Sequence, residues 1–431
     1  MARVALKTAA KLALVFAGTV ALFVLLLVCA ALVPRSAIQD YMLETAEFLC
    51  ERPAVFELVP GVKESTVDRY ADSLLMSIVY FWDEEDPLGS VMRSSFYGDW
   101  TVRQNELLLE SVASGRSPNQ EYIRYWHGSG VVLRPLHLIC GLREIYILCA
   151  VVLCALVVWL MMVLHGSHMD AEAVGVCVAL VTVNVWFVPF CLEFVWVFLI
   201  AIAASAIAVP LSIKGRSELL AMLFMVVGMI TAYLDFLTAE TLTLTIPLLL
   251  VVRASEREST AGGLWSFAVC RGVLWLLGYA GAWASKWALA SVVLGKDAMP
   301  YVSGHIAERL DRNVGLDTAQ YLWQTIERNV SLQYGSAVVV VLALTLLCVM
   351  AYLTAKGKLV RAESVNWSHV LLFFAIGLVP YVRYLALHAH AWQHAGFTYR
   401  AQAATVFAAW LILSEVFVRS RTDAGASEIF A

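Results

Sequence analysis

Ten apolar runs, most of them near the length that carries a helix across a bilayer, leave this chain few folds to choose from. They cover residues 9–33, 144–164, 172–190, 194–213, 218–236, 239–252, 264–285, 336–355, 368–387 and 400–418. About 20 apolar residues in a helix cross the hydrocarbon core. No sheet edge or bare loop can face lipid, because its peptide groups would have no hydrogen-bond partner. The expectation is an all-α fold, a polytopic transmembrane helical bundle of about ten spans, with the lipid bilayer as its partner. Composition agrees, since 61% of the 431 residues are hydrophobic and only 15% charged, where soluble domains carry about a quarter. A net charge of -4 offers nucleic acid no basic surface.

Basic residues set the expected orientation, because short cytoplasmic loops collect Lys and Arg. Arg3, Lys7, Lys11, Lys214, Arg216, Arg253, Arg257, Lys356, Lys358, Arg361, Arg419 and Arg421 all fall on one side if both termini are cytoplasmic. The chain then divides into an N-terminal anchor over 1–33, an outer segment over 34–143, a bundle over 144–418 and a cytoplasmic tail over 419–431. The first span is too long for a signal core and is read as an uncleaved anchor in the cell membrane. Eight of the nine cysteines lie in or beside apolar runs and only Cys50 sits in a polar loop, so no disulfide framework is expected.

The outer segment is too long to be a structureless connection. Residues 34–128 hold 16 acids and 8 bases, a net charge of -8. Met42, Leu43, Ala46 and Leu49 recur at helical spacing with Asp40, Glu44 and Glu47 between them. A second helix is expected from Asp72 to Phe81, lying on the membrane surface or against the bundle, and ended by Asp83-Glu84-Glu85-Asp86-Pro87. Those four acids read as a solvated run or, less simply, as ligands for a divalent metal. Asp72 stands directly before an apolar run. It could serve as a helix N-cap or, partly desolvated, as a base with a raised pKa. Asp68 and Asp40 are candidates for the same role.

Further polar residues gather at the expected outer membrane face. Arg124, His127 and Arg134 put three donors within eleven residues, suited to interface anchoring or to an anionic head group. Pro135 interrupts the run that follows, so the second span is expected from about Glu144. Glu193, Asp235 and Glu240 occupy outward turns. Gly278, Ala282 and Lys286 share one helix face, where small residues allow close helix approach and Lys286 can snorkel to water. In the last outer turn, His388, His390 and His394 could bind a metal. Arg383, His394, Tyr399 and Arg400 could instead hold phosphate or sugar.

The order of certain pieces resembles a bacterial family of uncharacterised multi-pass proteins. They are Arg124-Tyr125-Trp126-His127-Gly128 with Leu133-Arg134-Pro135-Leu136, Asp235-Phe236-Leu237-Thr238 with Ile246-Pro247, Gly278-Tyr279-Ala280-Gly281, and Phe397-Thr398-Tyr399-Arg400. The architecture, an N-terminal span, a long acidic outer segment and a many-span bundle, also resembles the C-type (GT-C fold) glycosyltransferases. That resemblance implies a sugar donor linked to polyprenyl phosphate. It implies Asp72 (or Asp68 or Asp40) as base or metal ligand, and Arg124, Lys286, Arg383 and Arg400 as phosphate contacts. The leading expectation is therefore a membrane glycosyltransferase acting on the outer face of the cell envelope. Two rival expectations are a transporter or flippase of lipid-linked saccharide and a non-enzymatic envelope assembly protein. A transporter would need a polar path across the bundle, and few charges fall mid-span.

Overall fold

The computed structural model describes residues 2–99, 101–234, 237–255, 261–310 and 317–420. Among the described residues, seven stretches are long and apolar enough to cross a membrane: Lys7–Ala31, Leu142–Gly166, Leu192–Ile213, Ser217–Leu234, Gly262–Leu294, Ala337–Ala355 and Trp367–Ala386. By length and composition this is a multi-pass helical membrane protein.

Helix α1 (Ala2–Ala31) leads into a folded segment. There α2 (Gln39–Cys50) buries Met42, Ala46 and Leu49, close to the face expected. A small antiparallel hairpin of β1 (Val55–Glu57) and β2 (Thr66–Asp68) follows. Next come α3 (Arg69–Tyr80), α4 (Pro87–Arg93), α5 (Gln104–Ser114) and α6 (Gly130–Leu136). Helix α3 packs against α5, α6 and the bundle. Asp86 of the acidic run caps α4, accepting from the Gly89 N–H at 3.1 Å.

The bundle runs through α7 (Leu142–Gly166), α8 (Asp170–Thr182), α9 (Leu192–Ile213), α10 (Ser217–Leu234), α11 (Leu242–Ser255) and α12 (Ala261–Leu294). Two amphipathic helices, α13 (Met299–Leu310) and α14 (Thr318–Tyr334), precede α15 (Ala337–Ala355). Strand β3 (Leu359–Arg361) leads to α16 (Trp367–Gly377) and α17 (Val379–Ala386). The short α18 (His388–Gln393) and α19 (Ala395–Thr398), then α20 (Ala403–Val416) and β4 (Phe417–Arg419), complete the described chain.

The seven stretches do not by themselves show the ten spans expected. The runs 172–190, 239–252 and 400–418 fold as α8, α11 and α20, of 13, 14 and 14 residues. In α8 and α20 the apolar residues continue past the helix, while α11 starts three residues into its run. A 3-10 turn holding Pro189 follows α8, and another over Tyr399–Gln402 precedes α20. Helix α11 needs no lipid contact, since ten of its 14 residues are buried. The opposite extreme is α15, where Val340, Val341, Leu344 and Leu347 lie exposed, as befits a helix whose solvent is hydrocarbon.

Three observations fix which helix ends lie together. Lys11 pairs with Glu218 at 2.6 Å, and Arg253 pairs with Glu172 at 2.8 Å and Glu415 at 2.6 Å. Strands β3 and β4 pair antiparallel. The starts of α1, α8 and α10 and the ends of α11, α15 and α20 thus share one end of the bundle, the end that carries the basic clusters. The folded segment 32–141 belongs to the other end.

Helices α10 and α12 approach until backbones touch. A Cβ on Gly278 would stand 2.0 Å from the Met225 carbonyl oxygen, and one on Gly228 would stand 2.1 Å from that of Trp275. The small residues read on the α12 face do serve close packing. Lys286 on the same helix does not snorkel; it is fully buried.

Candidate functional site

The site begins with the stretch after α5. His127 has a left-handed backbone, φ 53°, and Gly128 follows with no room for a side chain, since a Cβ there would lie 2.3 Å from the Tyr233 ring. This tight path presses the stretch onto α12. The Trp126 indole donates to the Ala282 carbonyl at 2.8 Å, and the Trp287 indole donates to the Arg124 carbonyl at 3.1 Å. Tyr122 and Tyr125 stack at 5.5 Å, and Tyr125 meets Trp283 edge-on at 4.9 Å. Arg124 is thereby held over the Tyr122 ring, 4.2 Å from its centre. Its Nη2 donates to the Tyr122 hydroxyl at 2.7 Å. Its Nε is buried with no hydrogen-bond partner. Among the described residues no carboxylate pairs with it.

Helices α3 and α9 supply the acids. Asp68, not Asp72, is the N-cap of α3: its Oδ1 accepts from the Ala71 N–H at 3.1 Å. It is half-buried, and burial raises its pKa against the pull of the backbone N–H groups. Asp72 caps a different helix. Helix α9 starts after Cys191, whose side chain offers no cap. The fully buried Asp72 supplies one from across the fold. The Leu192 N–H donates to both of its carboxylate oxygens, at 3.0 and 3.2 Å, where an anion meets the positive helix end. The Tyr146 hydroxyl donates to Oδ2 as well. Burial outweighs these donors and lifts the Asp72 carboxyl from 3.8 to about 7. By clamping the start of α9, Asp72 fixes Glu193, the next carboxylate along.

Helix α18 supplies the imidazoles. Arg383, whose Nε donates to Glu240 at 2.8 Å, also lies 3.2 Å from His390 Nδ1 through Nη2. A guanidinium can only donate, so His390 carries its proton on Nε2. His394 lies one turn on, its ring 4.7 Å from that of His390.

These groups surround one cavity of about 320 Å³, lined by Asp68, Asp72, Glu193, Arg124, His390 and His394, with Tyr70, Phe96, Tyr122, Tyr125 and Gln393 among the others. Of the residues singled out in the sequence, Asp68, Asp72, Arg124, Glu193, His390 and His394 come together here. Tyr70, Phe96 and Gln393 were not foreseen. Nothing in their spacing marks them, because the fold alone brings three separate segments to one wall. Among the described residues no group of three or more His, Cys, Asp or Glu side chains is arranged to hold a metal ion.

The other candidates lie elsewhere, and most have internal partners. Arg134 is buried and donates through Nε and Nη2 to the Val33 carbonyl at 3.0 and 2.6 Å, and through Nη1 to that of Val79, serving the ends of α1 and α3. Lys286 donates to the carbonyls of Val91 and Met92 at 2.9 and 3.1 Å, capping α4. Arg383 is committed to Glu240. Arg400 donates to the carbonyls of Gly396 and Glu64 at 2.8 and 3.2 Å. The Tyr399 hydroxyl donates to the Val183 carbonyl at 3.2 Å. His127 is buried 3.3 Å from the Tyr122 carbonyl; burial, then the charge of Lys286, lowers its pKa to about 3. Asp40 is exposed on α2 and lines no part of the cavity. Asp235, Arg257, Arg421 and most of the tail lie outside the described residues.

No family model, curated protein or solved structure matches this chain. Neither the bacterial multi-pass family nor the C-type glycosyltransferases finds support there. Length and hydropathy alone make it a multi-pass helical membrane protein.

Proposed function

We propose that the chain is a membrane glycosyltransferase that takes a sugar from a polyprenyl-phosphate donor at this cavity. One observation carries the reading: Arg124 faces a cavity of carboxylates and imidazoles, its Nε has no hydrogen-bond partner, and no acid among the described residues pairs with its guanidinium. A desolvated guanidinium suits a phosphate. Asp68 is more accessible than the fully buried Asp72 and is the better base of those two. In the reaction the acceptor hydroxyl gives its proton to Asp68 and its oxygen bonds to the sugar's anomeric carbon. The bond from that carbon to phosphate breaks, and the electron pair leaves on the phosphate beside Arg124. Charge developing on the leaving group is what a fixed cation stabilises most.

The basic clusters at the opposite end of the bundle support an outward-facing cavity and cytoplasmic termini. On this reading α8, α11 and α20 are three shortened crossings inside the bundle, which returns the count to ten. A transporter has less support, because the buried cations Arg134 and Lys286 hold helix ends and do not mark a path.

The test uses the full chain in detergent with polyprenyl-phosphate hexoses and pentoses labelled in the sugar. Release of polyprenyl phosphate should require the protein and fall at least about 100-fold in Arg124→Ala, the scale of losing one preorganised charge contact. No turnover of any donor, with polyprenyl phosphate binding unchanged in Arg124→Ala, would remove the basis of the reading.

A further inference from the structure

Beside the polar cavity, and sharing Arg124 and Tyr125 with it, runs a second hollow of about 380 Å³. Its wall is one face of α12, Leu276, Tyr279, Ala280, Trp283 and Trp287, closed on the far side by Val302 of α13 and by Leu387. The lining is almost wholly apolar. Leu276 and Ala280 are exposed to whatever fills it. Tyr125 is its doorpost, with one side of the ring on Tyr122 and the other on Trp283.

We infer that this groove holds the hydrocarbon chain of a single-chain lipid phosphate whose head group lies on Arg124. The inference rests on the reading of the polar cavity and goes further in naming where the lipid lies. Three observations support it. The groove and the cavity meet at Arg124, whose guanidinium pairs with no acid among the described residues, so an amphiphile can lie in both at once. The groove runs along a helix long and apolar enough to span the membrane, so a chain can slide in from the side without crossing water. Its size suits the part of a chain nearest the head group. A chain carbon needs roughly the volume of a water molecule, about 30 Å³, so 380 Å³ takes about a dozen carbons. Tyr279, Trp283 and Trp287 give flat apolar faces that suit an unsaturated chain.

The groove also predicts selectivity by chain position. The dozen carbons nearest the phosphate touch protein, while those beyond lie in lipid and contribute nothing further. In a bilayer the whole tail is already in hydrocarbon, so the protein's gain comes from aromatic contact and from the head group.

The experiment is photocrosslinking in nanodiscs with a polyprenyl phosphate that carries a diazirine within its first three isoprene units. Label should appear on 276–287 and near Val302. It should fall at least tenfold in Ala280→Trp, which fills the groove from an exposed position, and in Leu276→Trp, a second exposed site should the first fail to fold. Ethyl phosphate, too short to reach the groove, should bind both variants like the parent and lose binding in Arg124→Ala. If ethyl phosphate depends on Arg124 but label spreads evenly over the lipid-facing surfaces of α7 and α15 and ignores both tryptophans, the groove inference fails while the cavity reading stands. If Arg124→Ala changes neither ethyl phosphate binding nor labelling, both fail.

Discussion

Asp72→Asn should make this protein more stable at neutral pH and remove most of a pH dependence. In the folded chain the Asp72 carboxyl titrates at about 7, against 3.8 when free, chiefly because it is buried. Below about pH 4 both states hold the proton and nothing is lost. Between about pH 4 and 7 the unfolded chain gives the proton up while the folded chain keeps it. Stability therefore falls as pH rises and levels off above 7. A separation of about three units corresponds to about 4 kcal/mol at the plateau. Asparagine has no proton to lose. Its oxygen can still accept from the Leu192 N–H, and its amide can donate to the Tyr146 oxygen, so the clamp on α9 survives. Thermal unfolding of the full chain in one detergent, from about pH 4.5 to 8.5, gives the comparison. The parent's midpoint should drop by several degrees across that range, and the variant's should drop less and lie higher at pH 8. Parallel curves, or a variant less stable at pH 8, would refute the claim that burial outweighs the donors at Asp72.

Two further outcomes follow from the packing. Gly278→Ala forces a methyl group into the Met225 carbonyl and must part α10 from α12, at a cost of about 1–3 kcal/mol read as a lowered melting temperature and poorer recovery from membranes. Lys286→Ala leaves the Val91 and Met92 carbonyls bare, at about 1–3 kcal/mol for each unsatisfied group; amide exchange over 87–93 should quicken with it, and an unchanged rate would show that Lys286 does not hold α4.

Much of the scaffold could be read from hydropathy and period. The helix with Met42, Ala46 and Leu49 on its inner face and the break at Pro135 before a span near residue 142 both follow from spacing alone. The shortened helices could not be read that way. An apolar residue in a 3-10 turn, as at Val185–Phe190, has the same hydropathy as one in a helix. The cations failed for a different reason. A guanidinium near a membrane surface is suited equally to a phosphate and to the bare carbonyls at a helix end, and both are oxygen acceptors. Arg134 and Lys286 found their oxygens on segments 101 and 195 residues away, which no local pattern reveals. Arg124 differs only in what it lacks. Asp72 shows the same limit among the acids: a cap was foreseeable, but the helix it caps begins 120 residues later.

The grip of α12 on the segment before it has a bearing on the order of synthesis. The Trp126 indole, the Arg124 carbonyl and the end of α4 all take their partners from Ala282, Lys286 and Trp287. A growing chain therefore carries the Arg124 wall of the cavity, complete in sequence, through the making of about 160 more residues before α12 arrives to hold it. Until α12 is in place, α4 ends in free carbonyls and Arg124 has no doorway to guard. Any chain cut short before residue 282 should present this region in a loose, protease-sensitive form, however well its earlier spans have inserted.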